Sequence, residues 1–503
     1  MNAPMRRVAI ACLVLFAALL ANASWVQVGQ AKRLDHSATN PRPLFQRFSR
    51  DRGNIVLADG AVIASSVPDG PDGKTYRRQY AASDPAEYAA LTGWAGVSST
   101  TGLEKAEDDL LTGNDDRLAV RNFVDVFSNR PQQGGYVTTT IDHRTQDAAW
   151  AALRAAGPNV HGAVVALDVA TGAVLALVST PSFDPTPLAA RDPKVVGAAY
   201  QQLVKDGGMP LLDRATQGHY PPGSFFKVVT SAAALAAGRT PDTPIAAPDL
   251  LSLPLTTAKL SNFGGESCGG PQIPLRQALK ISCNTAFGRL GLDLGAEALR
   301  RQAAAFGVGS TVAGFPLPQE KSTFPETVNA PNLAFSAIGQ YDDAFSPLQA
   351  AMIVQAVAHQ GSELAPYLVA QEHAPDGSML SQAVPRELGK PVTPQVAAQL
   401  TQMMQAVTSE PGGTAFGFIQ RTLGGVTSAG KTGTAQHGTG AQPPHAWFAG
   451  FAPVESPRIA VAVIVEDGGR SGSDATGGAV AAPVAGAVMK AFVCGHPPRP
   501  AGC

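Results

Sequence analysis

The sequence predicts an α+β protein that combines one apolar N-terminal helix, a small α+β module and a larger domain built on an antiparallel sheet. Three observations predict this fold. An apolar run follows two arginines near the start of the chain, and the 503 residues suffice for two or three folded units. After residue 136, strand-like runs form two groups, and a long stretch of helical patterns separates them.

The composition narrows the functional classes. The 38 Lys and Arg residues nearly balance the 39 Asp and Glu residues, so the formal net charge of -1 provides no field that would attract nucleic acid. Hydrophobic residues make up 45% of the chain, which is enough for a sizeable core. We therefore expect a folded protein that binds no nucleic acid and needs no metal or other cofactor.

Residues 1–31 are predicted to form a cytoplasmic stub and a membrane anchor. Two arginines precede an apolar run at residues 8–21, a pattern that keeps the N-terminus in the cytoplasm and exports the rest of the chain. Residues 21–23 (Ala-Asn-Ala) are similar to a signal-peptidase site, so a cleaved signal peptide is the alternative. Trp25 and the residues after it extend the segment to about twenty residues, the length of a membrane span, and favour the anchor.

Residues 32–135 are predicted to form the small α+β domain. It contains short strand-like runs at residues 54–57 and 61–63. Residues 129–135 (Asn-Arg-Pro-Gln-Gln-Gly-Gly) have the composition of a linker, which predicts a domain boundary before residue 136.

The larger domain is predicted to span residues 136–493, ahead of a Pro/Gly-rich tail at residues 494–503. Its sheet would take strands from both ends of the domain, and a helix at residues 479–492 would close it. The predicted strands are residues 164–168, 173–179, 427–436, 446–452 and 458–465.

The strongest candidate catalytic motif is Ser-Phe-Phe-Lys at residues 224–227. A Pro-Gly pair breaks the chain and an apolar run follows, so a buried helix is predicted to begin at Ser224. Residues three apart share a helix face, which brings Lys227 beside the Ser224 hydroxyl. Burial would lower the pKa of this lysine, so that its neutral amine could take the serine proton. Ser-x-x-Lys alone is a weak signal that recurs at Ser428, and an ordinary helix N-cap is the alternative.

Two further motifs support a catalytic role. Ser-Cys-Asn at residues 282–284 would present a hydroxyl that can relay a proton and an amide that can hold a peptide backbone. Lys-Thr-Gly-Thr at residues 431–434 lies in a strand pattern, where the ammonium and hydroxyl can bind a carboxylate and the glycine allows close approach of a substrate. Taken singly, these motifs are also typical of a turn and of an exposed edge strand.

The five cysteines can pair if the domain is exported. Cys268 and Cys283 are separated by a short loop and form the candidate disulfide, with two free buried thiols as the alternative. The sequence does not decide whether Cys494 and Cys503 pair. Cys12 lies in the membrane segment.

The three motifs, in this order and at domain-sized separation, resemble the Ser-x-x-Lys, Ser-x-Asn and Lys-Thr-Gly set of the penicillin-binding proteins and serine β-lactamases. Residues 51–55 are similar to the pedestal domain of class B penicillin-binding proteins. Other segments are similar to the transpeptidase domain of that class, and the short pedestal resembles the actinobacterial penicillin-binding protein A group. These segments are residues 164–168, 181–185, 337–340, 346–349, 413–415 and 446–450.

The resemblance implies a five-stranded antiparallel sheet beside an all-helical lobe, with a dimerisation-type pedestal domain before it and the active site at the junction. It also implies an oxyanion hole formed by the backbone amides of Ser224 and Thr434, and a carboxylate site at Lys431 and Thr432. The implied catalytic residues are Ser224 as nucleophile, Lys227 as base, Ser282 as proton relay, and Lys431. The implied substrate-binding residues are Asn284, Thr432, Gly433 and Thr434.

The implied function is that of a peptidoglycan D,D-transpeptidase, anchored in the cytoplasmic membrane by a single pass with its catalytic domain outside the cell. Its implied ligands are D-Ala-D-Ala stem peptides and β-lactam antibiotics, and its implied partner is a separate membrane glycosyltransferase of the SEDS type. The alternatives are a D,D-carboxypeptidase or β-lactamase of the same superfamily, and a non-catalytic β-lactam sensor or scaffold. The chain length and the pedestal favour the transpeptidase.

Two positions depart from the family pattern. Cys283 occupies the middle of the second motif, and a bridge to Cys268 would fix that loop and make acylation redox-sensitive. Tyr341 follows Gly339-Gln340, where the family commonly has a glycine, so the shape of this loop is open.

Overall fold

The computed structural model describes residues 2–30, 48–69, 75–81, 83–97, 99–128, 132–438 and 442–503. Its first helix, Asn2–Ser24, continues into a wider turn at Trp25–Gly29. Within the described residues, two helical segments are long and apolar enough to cross a membrane, Pro4–Gln27 and Gly477–Gly495. The first is unburied, whereas the second is mostly buried against the main sheet of the larger domain and is a core helix.

The core of the larger domain is a five-stranded sheet in which all neighbouring strands are antiparallel. Almost every residue of its strands is buried, which explains their nearly continuous Val, Ile, Leu and Ala content. In spatial order the strands are Ala429–Ala435, His445–Ala452, Ile459–Val465, Gly162–Asp168 and Val174–Thr180. The prediction that strands from both ends of the domain form one sheet is therefore confirmed.

Helices cover this sheet and form the helical lobe. Pro347–Ala358 is buried along its whole length, and it begins where Ser346 Oγ accepts a hydrogen bond from the Gln349 amide at 3.1 Å. His143–Ala155 and Ala482–Gly495 pack on each other and on the sheet. The lobe helices are Lys227–Ala236, Leu275–Lys280, Asn284–Leu294, Ala296–Ala305, Ala330–Ser336 and Pro394–Ser409. A further 13-residue helix is Pro193–Lys205, and single helical turns occur at Arg214–Gln217 and Gln420–Leu423. Short strand pairs are Pro244–Ala246 with Gln272–Pro274, Leu250–Ser252 with Lys259–Ser261, and Glu363–Leu364 with Glu387–Gly389.

A second, six-stranded sheet combines three strands from the predicted pedestal with three strands from residues after 135. Its spatial order is Met379–Gln382, Val369–His373, Tyr136–Thr139, Ile55–Val56, Val62–Pro68 and Tyr76–Tyr80. Tyr136–Thr139 runs parallel to Ile55–Val56 and antiparallel to Val369–His373. The sheet thus spans the predicted boundary before residue 136, and the predicted linker falls partly on residues 129–131, outside the described residues. The domain limits stay a prediction.

The pedestal helices are Pro85–Thr92, Gly102–Ala106, Asp108–Leu111 and Ala119–Phe127. On the helix Gly102–Ala106, the fully buried Glu104 forms ion pairs with two buried arginines, at 2.6 Å from Arg52 Nε and 2.5 Å from Arg78 Nε. Burial alone would raise the pKa of Glu104, but the charges of Arg78 and Arg52 outweigh it and hold that pKa below its ordinary value. Glu104 is therefore ionised at neutral pH.

Two disulfides are present in the structure. One joins Cys268 to Cys283, and the other joins Cys494 to Cys503 near the end of the chain. Cys12 is a free, exposed thiol on the N-terminal helix.

Candidate active site

Ser224 lies in a single 3-10 turn, Gly223–Phe226, which leads directly into the buried helix Lys227–Ala236. The helical segment therefore starts one residue before the predicted position, and its α-helical part starts at Lys227. The predicted three-residue spacing places the two side chains together, with Lys227 Nζ 3.0 Å from Ser224 Oγ.

Lys227 is fully buried, and its amine has two strong hydrogen-bond acceptors besides the serine. It donates to the carbonyl oxygen of Ser282 and to Asn284 Oδ1, each at 2.7 Å. The pKa of Lys227 is well below its ordinary value, mainly because the amine is buried and also because the positive charge of Lys431 is near. In a neutral amine, these two oxygens take both N–H groups, since carbonyl oxygens can only accept. The remaining lone pair is then available to the Ser224 hydroxyl.

Ser282 lies between two lysines. Its Oγ is 3.2 Å from Lys227 Nζ and 3.0 Å from Lys431 Nζ. The residue adopts a φ of 61°, which residues other than glycine rarely adopt, at a cost of about 1–2 kcal/mol. The disulfide of the next residue, Cys283, fastens this turn at the start of the helix Asn284–Leu294. The hydroxyl is therefore held at a fixed position between two amines.

Lys431 is also fully buried, on the strand Ala429–Ala435 at the edge of the five-stranded sheet. Burial lowers its pKa to about 7. Its amine donates to the Thr432 carbonyl oxygen at 2.8 Å, and the Thr432 hydroxyl lies 2.6 Å from the hydroxyl of Thr414. A cation and two hydroxyls thus meet at the edge strand, a combination that can bind a carboxylate.

Two glycines allow the backbone around Ser224 to pack closely. A Cβ at Gly433 would lie 2.8 Å from the Pro222 carbonyl oxygen, so only glycine lets the Lys431 strand approach the serine turn. On the other side, the Gly339 carbonyl accepts a hydrogen bond from the Gly223 amide at 2.8 Å. Gly339 has a φ of 76°, and a Cβ there would collide with the Gly223 carbonyl oxygen.

Tyr341, the position where a glycine was expected, keeps a φ of 73°. This is the left-handed region that glycine favours, so the loop has the backbone conformation of a glycine-bearing loop although a tyrosine occupies it. The tyrosine side chain is exposed.

A carboxylate that the sequence motifs do not include, that of Glu466, positions the segment before Ser224. Glu466 Oε1 accepts hydrogen bonds from the Tyr220 hydroxyl at 2.6 Å and from Arg214 Nε at 2.7 Å. Trp447 Nε1 donates to the Pro221 carbonyl at 3.0 Å. Sequence reasoning missed Arg214, Glu466 and Thr414 as supporting residues, because these contacts join distant parts of the chain and no local pattern signals them.

The structure thus brings the side chains of all three predicted motifs into one hydrogen-bonded network. Ser224, Lys227, Ser282, Asn284 and Lys431 are directly linked in it. Thr432, Gly433 and Thr434 continue along the edge strand beside it. No helix begins at Ser428, the other Ser-x-x-Lys serine, which precedes the strand. The catalytic and binding roles of these residues, including the oxyanion hole, stay predictions.

A serine beside a buried lysine, at the junction of a five-stranded antiparallel sheet and a helical lobe, is the arrangement of a serine acyl-transfer enzyme. The model of the penicillin binding protein transpeptidase domain matches residues 162–490, and that of the penicillin binding protein A dimerisation domain matches residues 52–137. The chain belongs to the penicillin-binding protein transpeptidase family.

Within this family, the chain is similar to proteins called peptidoglycan D,D-transpeptidase PbpA. It is 45% identical to that of Mycolicibacterium smegmatis over 501 residues, which cover 98% of this chain and 99% of the relative. It is 44% identical to that of Mycobacterium tuberculosis over 507 residues, which cover 99% of this chain and 100% of the relative. The crystal structure of PBPA from Mycobacterium tuberculosis superposes with a TM-score of 0.82 at 43% identity, covering 88% of this chain and 99% of the other. The penicillin G acyl-enzyme complex of that protein gives a TM-score of 0.81 at 42% identity, again covering 88% of this chain and 99% of the other.

Proposed function

We propose that the protein is a peptidoglycan D,D-transpeptidase that works through an acyl-enzyme on Ser224. Ser224 Oγ attacks the carbonyl carbon of the penultimate D-Ala of a stem peptide, and the terminal D-Ala leaves as a free amino acid. An amine from a neighbouring stem then attacks the ester, forming the cross-link and restoring the hydroxyl. The observation that carries the proposal is the 3.0 Å contact between Ser224 Oγ and the buried Lys227 amine.

The hydrogen-bonded network supports a path for the proton. The lowered pKa of Lys227 favours its neutral amine, which takes the proton of Ser224 as the new C–O bond forms. The Ser282 hydroxyl lies within reach of Lys227 and passes a proton to the departing amine of D-Ala. Asn284, whose Oδ1 holds Lys227, also faces the substrate backbone.

The edge strand binds the substrate. Its terminal carboxylate meets Lys431 and the Thr432 hydroxyl, and its backbone lies alongside Gly433 and Thr434 as an added strand. The amides of Ser224 and Thr434 stabilise the oxyanion that forms during attack. A β-lactam follows the same path: its ring amide acylates Ser224, and the leaving amine stays attached to the adduct. The penicillin G acyl-enzyme of the 42% identical relative supports this step.

We also infer that the segment Pro4–Gln27 anchors the protein in the cytoplasmic membrane as a single pass, with the catalytic domain outside the cell. The unburied apolar surface of this helix and the two arginines near its start, ahead of the apolar run at residues 8–21, support this orientation. The two disulfides suit an oxidising, extracytoplasmic location. A separate membrane glycosyltransferase of the SEDS type would supply the glycan strands that this enzyme cross-links.

The test is reaction of the full chain with penicillin G, followed by mass spectrometry of the intact protein and of its peptides over time. We expect one penicilloyl adduct, located on Ser224, that persists for minutes or longer, and no adduct in the Ser224→Ala variant. An adduct on another residue would overturn the site assignment. Rapid release of the adduct would instead indicate a β-lactamase.

A second assay separates the remaining alternatives. With a D-Ala-D-Ala donor peptide and an acceptor amine, a transpeptidase releases D-Ala and forms the cross-linked dimer. Release of D-Ala without any dimer would indicate a carboxypeptidase. Acylation by penicillin without turnover of the peptide would indicate a sensor or scaffold.

A further inference from the structure

The pedestal helix Ala119–Phe127, here called the outward helix, turns its apolar face to the solvent. Its apolar side chains recur at positions i, i+3, i+4 and i+7, so they form one stripe along the helix. Their exposed fractions range from 52% to 81%, and two aromatic rings in the stripe are in contact, with centroids 4.6 Å apart. The stripe consists of Val120, Phe123, Val124 and Phe127.

The polar face of the outward helix is bound to the protein instead. Arg121 Nη1 forms an ion pair with Asp376 Oδ2 at 2.6 Å, and Asn122 Nδ2 donates to the Gly113 carbonyl at 2.7 Å. Just before the helix, Arg117 forms an ion pair with Glu372 at 2.5 Å. These contacts fix the rotation of the helix. A surface helix normally buries its apolar face, so the reversed orientation marks a surface for an apolar environment.

The chain enters the pedestal beside this helix. Arg50 Nη1 donates to Asn114 Oδ1 at 2.7 Å, and the Gly53 amide donates to the Leu111 carbonyl at 2.9 Å. The loop they contact is the one to which Asn122 binds the outward helix. Only residues 31–47 separate this entry point from the N-terminal helix, a distance of at most about 60 Å even when fully extended. The outward helix therefore lies where the chain arrives from its anchor.

We propose that the outward helix lies in the outer interface of the lipid bilayer, with its apolar stripe among the upper acyl chains. This proposal rests on the proposed anchoring of the chain by Pro4–Gln27. Protein interfaces carry about one hydrogen bond per 100–200 Å² of buried area. The four stripe side chains carry no hydrogen-bonding group, so they suit contact with lipid acyl chains better than contact with a protein. The helix would be a second membrane contact that limits how the pedestal tilts on its tether.

The experiment uses the full chain, reconstituted at low protein density into vesicles of phosphatidylethanolamine and phosphatidylglycerol. A fluorophore is attached at one cysteine, and lipids with brominated acyl chains quench it on contact. Val120→Cys in a Cys12→Ser background reports on the stripe. Leu255→Cys in the same background is a control on an exposed turn of the helical lobe, and native Cys12 reports on the anchor.

We expect the labels at positions 120 and 12 to lose most of their emission and the label at position 255 to keep it. Quenching at Cys12 without quenching at position 120 would overturn the inference and leave the anchor standing. Absence of quenching at both sites would overturn both. Two further outcomes would also overturn the proposal, because they would assign the stripe to a second copy or another protein. In the first, position 120 is shielded only at high protein density. In the second, the label at position 120 is protected from aqueous quenchers but does not contact acyl chains.

A pair of substitutions tests the cause. Phe123→Ser combined with Phe127→Ser removes the aromatic part of the stripe and should abolish quenching at position 120. Val384→Ser, a matched loss of an exposed apolar side chain elsewhere, should leave quenching unchanged. Both proteins should be acylated by penicillin G at the unmodified rate, which shows that they are folded. Full quenching in the double variant would overturn the inference.

Discussion

The amines of Lys227 and Lys431 converge on one hydroxyl, that of Ser282, at 3.2 and 3.0 Å. Both lysines are fully buried, and two adjacent positive charges in such an environment repel each other. Burial lowers the pKa of Lys431 to about 7. Burial, and then the charge of Lys431, lower the pKa of Lys227 well below its ordinary value. We infer that the site works with one amine neutral and the other charged.

The rate of acylation should therefore fall at alkaline pH. Lys431 must be protonated to hold the carboxylate of penicillin, and it loses its proton as pH rises through about 7. In Lys431→Arg the guanidinium stays charged, so the alkaline decline should disappear even if the rate at its maximum is lower. Stopped-flow acylation by a fluorescent penicillin across the neutral range measures this. The same alkaline decline in both proteins would contradict the assignment to Lys431.

Removal of the proposed base should nearly abolish acylation. Lys227→Met keeps an unbranched buried side chain but removes the amine, and loss of a general base lowers rates by about 10²–10⁴-fold. The rate constant for penicillin acylation is the measurement, and Lys205→Met, on an exposed helix end, is the control. A variant at position 227 that keeps its rate to within about tenfold would exclude Lys227 as the base.

The disulfide of Cys283 should support both stability and acylation. Cys268 and Cys283 are 15 positions apart in the sequence. Removing their disulfide in a double alanine variant should lower the free energy of unfolding by about 3 kcal/mol. It should also slow acylation, because Ser282 and Asn284 flank Cys283. The matched control removes the pair Cys494 and Cys503, which should lower the melting temperature but leave the acylation rate unchanged. Equal acylation rates in both variants would refute a role for the first disulfide in the site.

The buried ion cluster should dominate the stability of the pedestal. Glu104→Gln leaves the buried Arg78 without its ion-pair partner and Arg52 with Asp108 alone. Loss of one partner of a buried ion pair lowers the free energy of unfolding by about 3–5 kcal/mol. Glu297→Gln, which removes an exposed partner of two arginines, should change stability by less than about 1 kcal/mol. Denaturant unfolding measures both. Because the pKa of Glu104 is lowered, its stabilisation should be present above its ordinary pKa and disappear as pH falls through the lowered value. Similar stabilities for the two variants would contradict this account.

Local patterns were sufficient for the parts of the molecule that depend on short-range rules. The strand runs at residues 164–168 and 458–465 are apolar and bounded by turns, and the five-stranded sheet that contains them is confirmed. The spacing of Ser224 and Lys227 depends only on one helical turn, so the sequence predicts their contact directly. The assignment of the chain to the penicillin-binding proteins and to a transpeptidase-type enzyme is confirmed by the comparisons.

Other features depend on contacts between distant residues and leave no local signal. The strand Val369–His373 joins the pedestal sheet, although more than 200 positions separate it from Tyr136–Thr139. Glu466 supports Tyr220 from 246 positions away. The positive φ of Ser282 is set by the packing of its turn, and serine carries no conformational signal for it. The roles of the individual site residues and the domain limits remain predictions.

The strand Tyr136–Thr139 also limits how evolution or engineering can exchange parts of this protein. A chain shortened to begin after residue 135 would keep this strand but lose its parallel neighbour, Ile55–Val56. Its backbone amides and carbonyls would then form an open edge, able to pair with the same edge of another molecule and to aggregate. The pedestal and the catalytic part therefore are not interchangeable modules, and a hybrid with a foreign pedestal must supply a strand that fits this edge.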